Sequence, residues 1–196
     1  MDEIARADRL VESYQELKEK FEADPNRPRY HFLPPAGWLN DPNGAIFWKG
    51  RYHLFYQYYP YGAKHLRELD GGIKHYPLCW GHTSSRDLVH WVHHPVALRP
   101  SPGGPDEGLC ASGHAVDNDG VATIIYLGIP GGICIATSED DDLVGWTKHT
   151  DAVIPVSKPG EPVHGKYSLG DPTMWKEGAW WYALCGGKDP EGGDAC

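Results

Sequence analysis

The 196-residue sequence lacks a cysteine framework, a long apolar run and a basic charge excess. Its five cysteines are odd in number and widely spaced, with no Cys-x-x-Cys pair, which fits neither a disulfide scaffold nor a zinc site and favours a reducing compartment. No stretch approaches the roughly 18 consecutive apolar residues of a membrane-spanning helix, and residues 1–21 are too charged for a signal peptide. We therefore expect no membrane partner and take a cytoplasmic location as the default.

The charge balance points in the same direction. A net charge of -9 argues against the basic stripe that would neutralise nucleic-acid phosphates, so we expect no nucleic-acid partner. With 40% hydrophobic residues and eight tryptophans, the chain has enough apolar surface to bury a core. It is typical of a globular protein, and nothing in the composition sets its oligomeric state.

Residues 1–28 are predicted to form an N-terminal helical extension. Apolar residues recur every three or four positions among charged ones, without Gly or Pro, which is typical of an amphipathic helix. Two prolines in the segment Asp24 to Pro28 end it. Such a helix either docks on the main domain or binds a partner or a membrane surface, and the pattern alone leaves both open.

After Pro35 the sequence changes to short apolar and aromatic runs separated by Gly, Pro, Asn and Asp, which predicts an all-β domain over residues 29–196. We see no second long helix. The predicted strands of the first unit cover residues 45–48, 52–56, 79–84 and 91–94, and those of a second unit cover 123–127 and 133–137. A third unit begins with a strand before Gly178 and a strand over residues 180–185.

The four-stranded unit recurs along the chain. The segment Asp142 to Trp146 echoes Asp87 to Trp91 about 55 residues earlier, and Asp171-Pro172 repeats Asp41-Pro42. Repeated four-stranded sheets of this size predict a β-propeller, in which the first strand of each blade lines a central channel. About two and a half blades are present, so we expect the chain to be a fragment.

This architecture predicts a site. Asp41, Ser112 and Asp171 each stand just before the innermost strand of successive blades, so the three polar side chains should converge on one funnel. Asp41 is followed by proline and by Asn43-Gly44, which predicts a tight turn into a strand. The alternative is that Asp-Pro turns recur only because the blades need them to begin.

Four motifs in this order resemble glycoside hydrolase family 32, the invertase, inulinase and fructanase group. They are Trp38-Leu39-Asn40-Asp41-Pro42-Asn43-Gly44, Tyr52-His53-Leu54-Phe55-Tyr56-Gln57, Trp80-Gly81-His82 and Arg86-Asp87-Leu88-Val89-His90-Trp91. The resemblance runs from about Arg29 to Gly187. It implies five blades followed by a β-sandwich, and a retaining hydrolase that releases terminal β-D-fructofuranosyl units from sucrose or fructans.

The resemblance also implies roles for individual residues. Asp41 matches the nucleophile that forms a covalent fructosyl intermediate, and Asp171 matches the aspartate that stabilises the transition state. The expected substrate-binding residues are Asn40, Gln57, Ser112 and Trp80, although the position of Trp80 is more typical of a core side chain than of a sugar platform. No cofactor and no metal are implied, and the partner is a β-fructofuranoside, either a small molecule or an oligosaccharide.

The sequence departs from the family pattern in four places. Gly170 replaces an Arg before Asp171, Ala111 replaces a Phe before Ser112, and an insertion at about residues 63–76 leaves His75 where the family has a Trp. The Glu-Cys pair that carries the general acid/base is absent, and we expect the three glutamates beyond residue 160, Glu161, Glu177 and Glu191, to be solvated. We therefore expect the acid/base to lie outside this chain and the chain alone to be a poor catalyst.

Other functions remain open. The same nucleophile would serve a fructosyltransferase, in which a sugar hydroxyl rather than water captures the intermediate. A propeller that kept the pocket and lost the acid would be a carbohydrate-binding module, and a degenerate fragment would bind nothing. The cluster His90, His93 and His94 suggests a metal site, but strand alternation sends His93 and His94 to opposite faces, which argues against one.

Overall fold

The computed structural model of the protein describes residues 19–20, 23–28, 31–35, 37–59, 78–162, 164, 169–188 and 194–195. This part of the chain is all-β, with twelve strands in three antiparallel sheets. Most of the predicted N-terminal helix and the insertion at residues 63–76 lie outside the described residues. Across the described ranges, no helix is long and apolar enough to cross a membrane.

The first sheet has four strands in sequential order. They are β1 (Trp38–Trp48), β2 (Arg51–Tyr59), β3 (Cys79–Ser85) and β4 (Trp91–Leu98). The Lys49-Gly50 turn joins β1 to β2, and both residues have positive φ (44° and 84°), as a two-residue hairpin turn of this hand requires. The four predicted strands are confirmed, and each is as long as predicted or longer.

The second and third sheets repeat the plan. The second contains β5 (Leu109–Asn118), β6 (Val121–Ile129), β7 (Gly132–Ser138), β8 (Thr147–Lys148) and β9 (Ile154–Pro155), the last two both pairing with β7. The third contains β10 (Gly170–Glu177), β11 (Trp180–Lys188) and β12 (Asp194–Ala195). The first strands of the three sheets, β1, β5 and β10, pack side by side. Sheets stacked through adjacent first strands are the arrangement of β-propeller blades.

Strand β1 corrects one expectation. The sequence predicts a tight turn at Asn43-Gly44 with Asp41 just ahead of the strand that follows, but β1 runs through this whole segment. Two bulges accommodate it, one between Leu39 and Pro42 and one between Asn43 and Ile46. Pro42 has no N–H to donate, and β1 is an edge strand, where proline is tolerated. Gly44, at φ 49°, allows the second bulge.

The predicted echo between the two outer loops is present in the backbone. Leu88 and Leu143 occupy matching positions, and both have a left-handed conformation, with φ of 63° and 54°. The carboxylates that hold the loops differ in position. Asp87 accepts from the backbone N–H of His90 at 2.8 Å, whereas the second loop is held by Asp140, which accepts from Val144 at 2.8 Å. The two loops therefore share a shape, but the carboxylate that accepts their backbone hydrogen bonds lies two residues earlier in the second loop, at Asp140 rather than Asp142.

The main core lies between the first and second sheets. Trp48, Phe55 and Trp80 of the first sheet pack with Ile124 and Tyr126 of the second, and each of these side chains is at most 3% exposed. Burying an aromatic or aliphatic side chain of this size contributes about 1.5–3 kcal/mol, so this interface holds the two sheets in a fixed relation. A smaller cluster of Ile125, Ile133 and Met174 joins the second sheet to the third. The cores therefore fix where β1, β5 and β10 meet.

Candidate active site

Each of the three innermost strands carries a β-bulge at its predicted site residue. The pairing of β1 with β2 shifts between Leu39 and Pro42, on either side of Asp41. The pairing of β5 with β6 shifts between Cys110 and Gly113, around Ser112, and that of β10 with β11 shifts between Gly170 and Thr173, around Asp171. A bulge leaves the extra residue out of the ladder and re-aims its side chain. Three equivalent bulges on three adjacent strands therefore present these side chains at one end of the stack.

The structure brings Asp41 and Ser112 into direct contact. The Ser112 hydroxyl donates to Asp41 Oδ2 at 2.7 Å, although the two residues are 71 positions apart. Asp41 is exposed, so its carboxylate is accessible to a ligand. Ser112, the hydrogen-bond donor, is only 8% exposed and is held within β5. A hydroxyl donor at this distance restricts the rotation of the carboxylate. Asn40, in the same bulge, is also exposed.

Gln57 and Trp80 lie behind this contact. Gln57 is 4% exposed and its side-chain amide donates to the carbonyl of Cys110 at 3.0 Å. Trp80 has no exposed surface, and its indole N–H donates to the carbonyl of Ala111 at 2.8 Å. Such a ring has no face left for a sugar, so the expected substrate contact of Trp80 is replaced by a supporting role. Both residues hold the backbone that leads into Ser112.

Asp171 lies on β10, at the bulge of the third sheet. It is exposed and has a φ of 39°, in the left-handed region that residues with a Cβ avoid. Such a conformation costs on the order of 1 kcal/mol or more and persists where the surrounding structure imposes it. Behind Asp171, the Thr173 hydroxyl and His114 Nδ1 are 3.2 Å apart, which ties β10 to β5. A strained, exposed carboxylate on a fixed strand is suited to binding a polar ligand.

The described glutamates do not join this group. Glu161 and Glu177 are exposed, which confirms the prediction for those two residues. Glu161 accepts from the backbone N–H of Lys158 at 2.9 Å, and Glu177 accepts from the Trp175 indole at 2.9 Å, so each serves its own loop or hairpin. Glu191 lies outside the described residues.

The sequence missed a buried imidazole cluster in the first sheet. His53 Nδ1 and His82 Nε2 are 2.9 Å apart, and His82 stacks on His94 with ring centroids 4.4 Å apart. Burial is the main cause that lowers the pKa of all three, that of His53 to about 4 with help from His94 and Arg51. The sequence signal for the burial of His53 was the alternation of β2, which places His53 on the same face as Phe55.

The three histidines that the sequence grouped are separated. His90 is exposed and lies 2.7 Å from Asp87, His93 packs on Phe32, and His94 packs on His82. Throughout the described ranges, no group of three or more His, Cys, Asp or Glu side chains is placed to hold a metal ion. The four described cysteines are all free thiols.

The sequence also missed a buried charge pair beneath the site. Asp106 is 1% exposed and Lys148 binds it, while the Tyr126 hydroxyl donates to Asp106 Oδ2 at 2.8 Å and the Cys110 thiol at 3.2 Å. Burial acts to raise the pKa of Asp106, but the hydrogen bond and charge of Lys148, with the Tyr126 and Cys110 donors, outweigh it and hold the pKa below its usual value. Asp106 lies in a Gly- and Pro-rich stretch, which gave no signal of burial.

Comparison with known proteins covers most of the chain. The model of the glycosyl hydrolases family 32 N-terminal domain matches residues 31–196. A sucrose-6-phosphate hydrolase of Escherichia coli is 38% identical over 175 residues, which cover 83% of this chain and 32% of that protein. A levanase of Bacillus subtilis is 51% identical over 90 residues, 46% of this chain and 11% of the levanase. The chain spans about a third of the length of the sucrose-6-phosphate hydrolases that it matches.

Solved structures of fructose-releasing enzymes also align with most of the chain. The GH32 β-fructofuranosidase of Bombyx mori aligns with a TM-score of 0.69 at 32% identity, covering 96% of this chain and 38% of that one. Fructan 1-exohydrolase IIa of Cichorium intybus aligns with a TM-score of 0.67 at 32% identity, covering 85% of this chain and 30% of that one.

Proposed function

The chain belongs to glycoside hydrolase family 32, and from that premise we propose that it forms the N-terminal part of a glycosidase that releases terminal β-D-fructofuranosyl units from sucrose or fructans. The observation that carries the proposal is the exposed Asp41 carboxylate, fixed by the Ser112 hydroxyl at 2.7 Å in the bulge of an innermost strand. A glycosidase needs such a carboxylate beside the anomeric carbon, because the transition state carries positive charge there.

In the proposed reaction Asp41 is the nucleophile. Its carboxylate attacks the anomeric carbon of the fructosyl unit, the glycosidic C–O bond breaks, and the leaving oxygen takes a proton from a general acid. Water then displaces the carboxylate and restores Asp41, with net retention of configuration. Ser112 occupies Oδ2, so we assign the attack to Oδ1. The acid/base is proposed to lie outside the 196 residues.

The remaining site residues divide into two groups. Asn40 and Asp171 are exposed and are proposed to bind hydroxyl groups of the terminal fructose, with Asp171 also stabilising the positive charge of the transition state. Gln57 and Trp80 are proposed to act from behind, through the carbonyls of Cys110 and Ala111. Gly170, where the family has Arg, leaves Asp171 without a cation supplied by its chain neighbour.

For the whole protein we propose five blades, of which residues 29–196 form about two and a half, preceded by a helical extension over residues 1–28. The three stacked sheets and the alignment of the chain with about a third of longer relatives support this division. Two alternatives share the same pocket. A fructosyltransferase would use Asp41 identically. A carbohydrate-binding propeller would keep the pocket without cleaving the sugar, and the replacement of Arg by Gly170 is the observation that favours it.

The test is an assay of the complete gene product with sucrose, sucrose 6-phosphate, inulin and levan, scoring released fructose and any lengthened oligosaccharide. Asp41→Asn should abolish release, because an amide cannot form the covalent intermediate. The matched control is Asp119→Asn, which removes an exposed carboxylate in the turn between β5 and β6 that binds Lys176. Binding of these sugars without fructose release by a folded wild-type protein would select the binding propeller, and lengthened products would select the transferase.

A further inference from the structure

We propose that Asp106, held by Lys148, is a positioning residue that sets the bulge carrying Ser112 and thereby orients Asp41. Neither residue touches the carboxylate of Asp41, so any effect on the reaction passes through the backbone of β5. The catalytic half of this inference rests on the proposed function, whereas the mechanical half does not.

One carboxylate oxygen of Asp106 gathers the donors. Asp106 Oδ2 accepts from the Tyr126 hydroxyl at 2.8 Å, from the Cys110 thiol at 3.2 Å and from Lys148. The other oxygen, Oδ1, accepts from the backbone N–H of Ser101 at 3.1 Å. Every group is buried or partly buried, and both oxygens are used. A carboxylate satisfied in this way is rigid, and removing it would leave several buried donors without an acceptor.

Two of the four donors to Asp106, Cys110 and Tyr126, belong to the residue pairs that frame the bulge. Cys110 pairs with Gly128 on β6, and the next pair in register is Gly113 with Tyr126. Three steps along β5 therefore match two steps along β6, and Ser112 lies within the longer side. Because Cys110 and Tyr126 bind the same oxygen, Asp106 fixes the separation of the two register points that define the bulge.

Further contacts restrict the movement of β5 around the bulge. The Cys110 N–H donates to the carbonyl of Leu78 at 3.0 Å, and its carbonyl accepts from Gln57. A Cβ on Gly128 of β6 would lie 2.9 Å from Asp106 Cβ. A Cβ on Gly113 of β5 would lie 2.0 Å from the carbonyl oxygen of Ile125 on β6. Glycine at 113 lets β5 approach β6 this closely, and glycine at 128 leaves room for Asp106. Ser112, one residue before Gly113, is thus held where its hydroxyl reaches Asp41.

Lys148 supplies the charge that lets Asp106 stay ionised inside the protein. Besides Asp106, its ammonium group binds the Arg99 carbonyl and the Ser101 hydroxyl, the latter at 3.1 Å. Breaking a buried pair from one side leaves an uncompensated charge, which is more disruptive than losing an exposed pair. The Lys49–Asp141 pair provides the comparison, because its side chains are 46% and 81% exposed.

The mechanical half is tested by hydrogen exchange and mass spectrometry on the chain itself, comparing wild type, Asp106→Asn, Tyr126→Phe and the control Asp141→Asn. We expect Asp106→Asn to raise exchange at residues 109–114 by about tenfold or more, with a smaller rise for Tyr126→Phe and none for the control. Exchange in β11 should change little. Equal rises across all strands, or unchanged protection at residues 109–114, would overturn the inference.

The catalytic half is tested by a double-mutant cycle on kcat in the complete gene product, with Asp106→Asn, Ser112→Ala and the double variant. If Asp106 acts through Ser112, Asp106→Asn should lower kcat about tenfold to a hundredfold with little change in KM, since a misplaced reacting group costs that much. In the Ser112→Ala background it should lower kcat no further. Multiplying effects would show that Asp106 acts through general stability alone. Absence of fructose release from wild type would refute the proposed function, and hydrogen exchange would then decide the positioning by itself.

Discussion

Acid should destabilise this protein well above the pH at which its carboxylates titrate, because of the histidine cluster in the first sheet. His53 and His82 are each 1% exposed and face one another through Nδ1 and Nε2 at 2.9 Å, so only one proton fits between the two nitrogens. His94 stacks against His82, and its Nε2 is 2.7 Å from the Ser84 hydroxyl, which also accepts from Arg51 at 3.0 Å. Asp140 and Asp142 act to raise the pKa of His53, but they only partly offset the effect of burial, His94 and Arg51.

The magnitude follows from His53. Its pKa falls from 6.5 to about 4 on folding, chiefly because of burial and then because of His94 and Arg51. The unfolded chain therefore takes up the proton first as the pH drops, so stability is unaffected above pH 6.5 and is lost as the pH falls from 6.5 towards 4. The difference corresponds to about 3 kcal/mol for this residue alone. His82 and His94 also have lowered pKa values and act in the same direction.

Urea unfolding followed by tryptophan fluorescence between pH 8 and 4 measures this loss. The midpoint should fall by about 1 to 2 M urea between pH 7 and pH 4, given the usual dependence of stability on urea for small domains. His53→Gln should be less stable at pH 7 but should lose less on acidification. His149→Gln is the control, because His149 is exposed. A stability that stays constant from pH 7 to pH 4.5 would refute the reasoning.

Two further predictions concern packing. Trp80→Ala should cost about 3–5 kcal/mol of unfolding free energy, because it empties a fully buried position. Trp180 is 73% exposed, so Trp180→Ala should change the unfolding free energy by less than about 0.5 kcal/mol. Urea unfolding of both variants checks this, and similar losses would contradict it. Gly113→Ala should lose about 1–3 kcal/mol or more, because its Cβ would lie 2.0 Å from the Ile125 oxygen, while Gly145→Ala, with no contact closer than 3.9 Å, should not. Equal midpoints for the two glycine variants would show that β5 and β6 can move apart.

Much of the fold follows from the sequence because short apolar and aromatic runs between turn residues mark the hairpins. The hairpins after Trp48 and Glu177 are predicted from such runs, and the structure has both. The repeat of the outer loop is also predicted, from the echo of Asp87 to Trp91 in Asp142 to Trp146, and the matching left-handed φ of Leu88 and Leu143 confirms it. Local patterns of this kind are set by neighbours in the chain and can be read without tertiary information.

The details of the site could not be predicted in the same way. Asp-Pro suggests a turn, and only the position of β1 and β10 at sheet edges allows Pro42 and Pro172 to lie inside strands. The convergence of Asp41 and Ser112 follows from blade repetition, but the hydrogen bond between them depends on the bulge register. Asp106 has the sequence context of a solvated loop residue, and its burial arises from Lys148 and Tyr126, which are distant in the chain.

The most direct test of the central claim is to trap the fructosyl-enzyme. The complete gene product is mixed with sucrose or inulin, quenched in acid within the first turnover, digested and analysed by mass spectrometry, with Asp41→Asn alongside. The account predicts one added fructosyl residue on the peptide that contains Asp41, and no such adduct in the variant. Fructose release with no adduct on that peptide, or an adduct on another carboxylate, would contradict the assignment of Asp41 as the nucleophile.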